Sequence, residues 1–257
     1  MSISLIDSHC HIPMIDLEGG VAQILDNATQ NNVNTMLCVC VELDDFPAIL
    51  ELSMRYDSIY ATVGVHPNTE LNSEITISEL TTIAQNPRVI AIGETGLDYF
   101  RSEGDLNWQR ERFRTHISAA KEVNKPIIVH CREAKENVLQ ILKEEKADEV
   151  GGVMHCFVED IETAKKAIDL NFYISFSGIV TFKNALEIKD VAKQIPDPWL
   201  LIETDSPYLA PAPFRGRQNQ PSYVRHVAEH IAELREVTLE HVAEVTSANF
   251  NRLFIDR

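Results

Sequence analysis

The 257-residue chain carries nine histidines, and two of them stand two apart at the end of the apolar stretch Ile3-Ser4-Leu5-Ile6-Asp7-Ser8-His9-Cys10-His11. In an extended segment, side chains two apart point to the same side, so His9 and His11 can converge on one metal ion while Cys10 faces away. Asp7 shares their face and is placed to orient an imidazole from behind. Other residues of metal-ligand type close other short apolar runs: His66 after residues 59–65, Glu94 after 88–93, His130 after 126–129, His155 after 151–154 and Asp205 after 199–202. Four imidazoles (His9, His11, His130, His155) and two carboxylates (Glu94, Asp205) exceed what one tetrahedral ion needs and suit two divalent cations sharing a carboxylate. Glu94, midway between the first and fifth runs, is the expected bridge. His9, His11 and Asp205 then complete one ion, and His130 and His155 the other. Mixed nitrogen and oxygen donors admit Zn²⁺, Mg²⁺ or Mn²⁺.

Short apolar runs alternate with segments of helical periodicity through the whole chain. Strands are expected at 3–9, 34–41, 59–65, 88–93, 126–129, 151–154, 172–176 and 199–202, with helices between them and two more, 223–235 and 239–254, at the end. Such alternation implies a parallel sheet, because parallel neighbours need a crossover of helix length. Eight strand-helix units in 257 residues predict a single-domain (β/α)₈ barrel. A doubly wound open sheet has less support, since no Gly-x-Gly-x-x-Gly turn follows the first strand. Active sites of such barrels lie where the strands end, which is where the candidate ligands fall. Of the other histidines, His116, His226, His230 and His241 fall on helices. His226 and His230 share a face but lack the Glu of a zincin helix and read as surface residues.

Lys and Arg number 23 against 39 Asp and Glu, a net charge of −16. That balance argues against a long basic groove along duplex DNA, where affinity comes mostly from phosphate neutralisation. An anionic substrate would need local cations, from bound metal and a few arginines. No apolar run is long enough to span a bilayer and no secretory leader is evident, so no membrane role is expected. Five cysteines, an odd number without disulfide spacing, fit a cytoplasmic location. Cys10, Cys131 and Cys156 each follow a candidate histidine and are expected to face away from it, as core thiols.

Asp-Ser-His-Cys-His at 7–11, Gly-Val-His-Pro at 64–67, Ile-Gly-Glu-Thr-Gly-Leu-Asp-Tyr at 92–99, Val-His-Cys-Arg at 129–132, Met-His-Cys-Phe at 154–157 and Glu-Thr-Asp-Ser-Pro-Tyr-Leu-Ala-Pro at 203–211 follow one another in order. Together they resemble the TatD family of metal-dependent deoxyribonucleases, which belongs to the amidohydrolase-type barrels. The resemblance implies a two-metal hydrolase of DNA, with His66 near the substrate phosphate. On that footing Asp205 is expected to orient or deprotonate the attacking water. Arg132, with Arg215 or Arg217, is expected to grip phosphate oxygens, and Glu203 to support Asp205 from one step deeper. Short, single-stranded or terminal DNA is the expected substrate, trimmed from the 3′ side, and no obligate protein partner is inferred. Cyclic-amide hydrolases of the same superfamily often bridge their metals with a carboxylated lysine, but that place here holds Glu94. Some TatD-like proteins are associated with removing D-amino acids from tRNA, which is the alternative activity. The family's loop usually continues with Asn-Glu-Pro, whereas this chain has Asn219-Gln220-Pro221, which leaves the role of Gln220 open.

Overall fold

The computed structural model describes residues 3–257. Strands and helices alternate as β1 (Leu5–Cys10), α1 (Gly20–Gln30), β2 (Val33–Cys38), α2 (Phe46–Arg55), β3 (Ile59–Val63), α3 (Ile77–Ala84), β4 (Val89–Asp98), α4 (Asn107–Val123), β5 (Ile127–Arg132), α5 (Lys135–Glu144), β6 (Gly152–Met154), α6 (Ile161–Asp169), β7 (Phe172–Phe176), α7 (Leu186–Gln194), β8 (Leu200–Ile202), α8 (Val224–Arg235) and α9 (Leu239–Phe254). The strands form one eight-stranded sheet in chain order, and a parallel bridge between Cys10 and Ser206 joins its two ends. This is the expected (β/α)₈ barrel.

Two compact units make up the chain. The first comprises the chain through Cys38, Cys156–Ala164 and Ile174–Arg257; the second comprises Val39–His155 and Lys165–Tyr173. In the first, β1 pairs with β2 and β7 with β8, and α9 packs on β1 and β8. Leu5, Ile24, Met36, Leu37, Phe176 and Phe250 fill its core. β1 is buried along its whole length, so His9 within it and His11 just past its end are set by a packed strand rather than by a mobile loop. In the second unit β3, β4, β5 and β6 pair in turn, covered by α4 on β4 and α3 on α4. Ile59, Leu80, Ile92, Phe113 and Phe172 are its buried centre. α3 begins with a capping box in which the Thr76 hydroxyl accepts from Glu79 N–H (3.2 Å) and the Glu79 carboxylate accepts from Thr76 N–H (2.8 Å).

The structure departs from expectation at the ends of β4 and β5. Both run on past Gly93 and Val129, where the apolar runs stop, and the ladder continues through Thr95↔Val129, Gly96↔His130, Leu97↔Cys131 and Asp98↔Arg132. Gly96 explains the extension. Its φ is +136°, a region that side chains rarely enter, and a Cβ there would run into the His130 carbonyl oxygen. The glycine lets the two backbones close up, so Glu94 and His130 project from strand interiors rather than from loops.

Candidate metal centre

In the first unit three donor atoms gather at the ends of β1 and β8. His9 Nε2 and His11 Nε2 are 3.2 Å apart, and Asp205 Oδ1 lies 3.4 Å from His11 Nε2 and 3.8 Å from His9 Nε2. Donors about 2.1 Å from a shared tetrahedral ion lie about 3.4 Å from one another, so this spacing fits a metal. The backbone holds it: Asp205 N–H donates to His9 O (2.9 Å) and His11 N–H to Ser206 O (2.8 Å). Asp205 sits at φ +55°, a left-handed turn that Asp tolerates better than most residues.

Asp7 is buried, but its role differs from the one expected. Its carboxylate accepts from Thr204 N–H (2.8 Å) and the Thr204 hydroxyl (2.6 Å). It therefore ties β1 to the segment after β8 instead of orienting an imidazole. Burial pushes its carboxyl well above the ordinary carboxylate value, against the pull of the Thr204 donors. Glu203, also buried, accepts from Cys156 N–H (2.8 Å), the residue after His155.

The second unit gathers imidazoles around one carboxylate oxygen. Glu94 Oε1 lies 2.9 Å from His130 Nδ1, 2.9 Å from His155 Nε2 and 3.4 Å from His66 Nε2. Burial alone would raise the Glu94 carboxyl, but His155, His66 and His130 hold it well below its usual value. His66, Glu94 and His130 bring donor atoms close enough to hold an ion, as do His9, His11 and Asp205. Both sets are the mixed nitrogen and oxygen donors that divalent cations take, so the residues fit the metals implied.

His66 Nδ1 accepts from Asn68 N–H (3.1 Å), which leaves the ring proton on Nε2, facing the cluster. Burial holds this ring down to about pH 4, against the opposing pull of Glu94, so His66 is neutral at physiological pH.

Asp98 has no role in the sequence reading beyond its place in a motif. It is buried, and its Oδ2 lies 3.2 Å from His130 Nε2 while accepting from Asn68 Nδ2 (2.8 Å). Its Oδ1 accepts from the N–H groups of Phe100 and Arg101. His130 is thus held between two carboxylates, which raise its pKa although burial alone would lower it. An Asp98→Asn change puts an amide donor against Asn68 or His130 while leaving an oxygen for the backbone donors. The expected result is a folded protein with metal affinity or activity lowered roughly 10- to 100-fold, as for other partners of ligating histidines; calorimetric metal titration checks it, and unchanged affinity and activity would remove Asp98 from the site.

His116 on α4 is fully buried, and the sequence offers no sign of it. Its Nε2 accepts from Val65 N–H (3.0 Å) and its Nδ1 faces Arg112 O (2.8 Å), which fixes the neutral ring and steadies the chain just before His66. Burial lowers its pKa to about 4. With an unfolded value near 6.5, the unfolded chain binds the proton first. The contribution of His116 is therefore complete above about pH 6.5, falls as pH drops toward 4 and levels off below that, a loss of about 3 kcal/mol. Urea unfolding of the metal-free protein and of His116→Gln between pH 4 and 7.5 should show their stability difference shrinking by that order toward acid; a constant difference would contradict it.

The arginines expected to grip phosphate have these surroundings. Arg132 lies 4.0 Å from the Phe100 ring centroid and Arg215 3.9 Å from that of Phe182, while Arg217 is exposed. His226 and His230 face Glu229 and Glu233 one turn along α8 and are half-buried rather than fully on the surface. Gln220 anchors its loop by accepting from Asn27 Nδ2 (2.7 Å), which requires only an amide oxygen, so the departure from Glu keeps the tie to α1. Asn219 contributes further, donating to Thr204 O and Tyr208 O.

The model of the TatD-related DNase family matches residues 6–255. The uncharacterized metal-dependent hydrolase YcfH of Escherichia coli strain K12 is 46% identical over 253 residues, covering 97% of this chain and 95% of its own length. The uncharacterized metal-dependent hydrolase YabD of Bacillus subtilis strain 168 is 44% identical over 251 residues, covering 97% and 98%. Among solved structures, YjjV, a TatD homologue from Escherichia coli K12, superposes with a TM-score of 0.91 at 28% identity, covering 97% of each chain. With two donor groups on a (β/α)₈ sheet and a family match running almost from end to end, the chain belongs to the TatD-related DNase family and is a metal-dependent hydrolase.

Proposed function

We propose that the enzyme hydrolyses DNA phosphodiester bonds, trimming single-stranded or frayed ends from the 3′ side, with two divalent ions (Zn²⁺, Mg²⁺ or Mn²⁺) per chain. The observation that carries this reading is the gathering of nitrogen and oxygen donors at His9, His11 and Asp205 and again around Glu94. Bound divalent ions supply a water of lowered pKa and positive charge against the developing charge on phosphate oxygens. His9, His11 and Asp205 would hold one ion, His130 and His155 the other, and Glu94 would be shared between them. Asp205 is the less buried carboxylate of the two and would orient the attacking water and accept its proton. His66, neutral with its proton on Nε2, would donate to a non-bridging phosphate oxygen. Arg132 stands two residues beyond His130, and Arg215 and Arg217 lie in the loop after Asp205. They supply local positive charge to a chain whose net charge is −16.

No helix among the described residues is long and apolar enough to cross a membrane. The odd cysteine count, without disulfide spacing, fits a cytoplasmic enzyme. The test is digestion of 3′- and 5′-labelled single- and double-stranded oligonucleotides beside a D-aminoacyl-tRNA. Stepwise loss of nucleotides from 3′ ends is expected; deacylation without DNA cleavage would overturn the reading in favour of the alternative.

A further inference from the structure

The chain has eighteen aromatic side chains, 10 Phe, 6 Tyr and 2 Trp, and among the described residues only two of them are exposed, Phe100 (56%) and Tyr208 (57%). Each stands beside one donor group. Tyr208 follows Asp205 by three residues, and its ring meets that of His11 edge-on at 6.4 Å between centroids. Its backbone is pinned on both sides: Tyr208 N–H donates to Asp205 O (3.0 Å), and Asn219 Nδ2 donates to Tyr208 O (2.5 Å). Phe100 N–H donates to the carboxylate of Asp98, the residue that holds His130, and the Arg132 guanidinium lies 4.0 Å from the ring centroid.

Two large rings held toward solvent by fixed backbone forgo the full or partial burial that their sixteen counterparts obtain. A rigid ring beside a hydrolytic centre offers a flat π face at little ordering cost. Nucleobases stack on such faces, and guanidinium planes extend them. The net charge of −16 leaves little scope for holding DNA by phosphate neutralisation alone.

We propose that Tyr208 and Phe100 are stacking platforms for unpaired nucleobases, so that the enzyme holds a DNA strand by its splayed bases. This rests on the DNase reading above and adds the reason for a single-stranded end: a paired base has both faces covered by its neighbours in the duplex. The platforms act on binding rather than on the chemical step.

Two readouts separate this inference from the hydrolysis it rests on. In the first, metal-loaded wild type, Tyr208→Ala and Phe100→Ala digest a single-stranded oligonucleotide and its counterpart with abasic sites at the 3′ end. Each alanine variant should raise KM roughly 5- to 150-fold on the normal strand with kcat little changed, have far less effect on the abasic strand, and be largely rescued by Tyr208→Phe or Phe100→Tyr. In the second, a 2-aminopurine oligonucleotide is titrated with the Glu94→Gln protein, alone and combined with each alanine variant. Fluorescence quenching that the alanine variants abolish is expected. Cleavage by wild type with KM unmoved by either alanine variant would overturn the stacking and leave the DNase reading standing. Quenching lost in the variants, without cleavage by wild type under any divalent ion, would overturn the hydrolysis and leave the stacking standing. No quenching by any form overturns the proposal.

Discussion

Replacing Glu94 by Gln should leave a folded protein whose activity on any substrate is about 10³-fold lower or less still, equivalent to about 4 kcal/mol of transition-state stabilisation. The side chain is buried, and one of its oxygens has three imidazole nitrogens within 3.4 Å. Gln keeps the shape and one acceptor oxygen, so packing survives. What it removes is the negative charge that three histidines share. The same loss lowers the proton affinity of His130, because Glu94 is one of the two carboxylates that raise it. Circular dichroism and a thermal melt would show the fold retained while steady-state kinetics show the collapse. Near-normal kcat in the purified variant would exclude Glu94 from the reaction.

Asp205→Asn is the second large effect, expected at roughly 10²- to 10⁴-fold in kcat/KM, the range for removal of a general base. The backbone at this position is left-handed, φ +55°, a conformation Asn enters as readily as Asp, and Asp205 N–H donates to His9 O whatever the side chain. Fold and loop path are therefore preserved. The variant loses the one carboxylate from a trio whose other members are imidazoles, so it should bind its ion more weakly as well as turn over slowly. A kcat/KM fall that excess metal fully reverses would make Asp205 a ligand only; one that persists at saturating metal assigns it the proton as well.

Much of the site was legible because its geometry is periodic. The spacing of His9 and His11 on an extended segment and the recurrence of ligand-type residues at the ends of apolar runs both follow from a side-chain period of two and from strands that point the same way. The residues missed are those whose roles depend on partners far along the chain. Asp98 lies five residues past the end of the apolar run at Gly93, yet Gly96 lets β4 and β5 approach, so the strand carries Asp98 up to His130. His116 resembles any polar residue on a helix until the Val65 N–H it accepts from, 51 residues away, is known. Asp7 was assigned the right face and the wrong partner, since nothing local to β1 reveals that Thr204 offers it two donors. Short-range patterning places side chains on faces; it does not say which of several nearby donors a buried carboxylate will take.

The most direct test of the central claim measures bound metal and end-labelled DNA digestion on one preparation, before chelation, after chelation and after metal is restored. Two divalent ions per chain, loss of 3′-end trimming when they are stripped and its return when they are replaced are the predicted results. Undiminished cleavage by protein shown to hold no divalent ion would contradict the account.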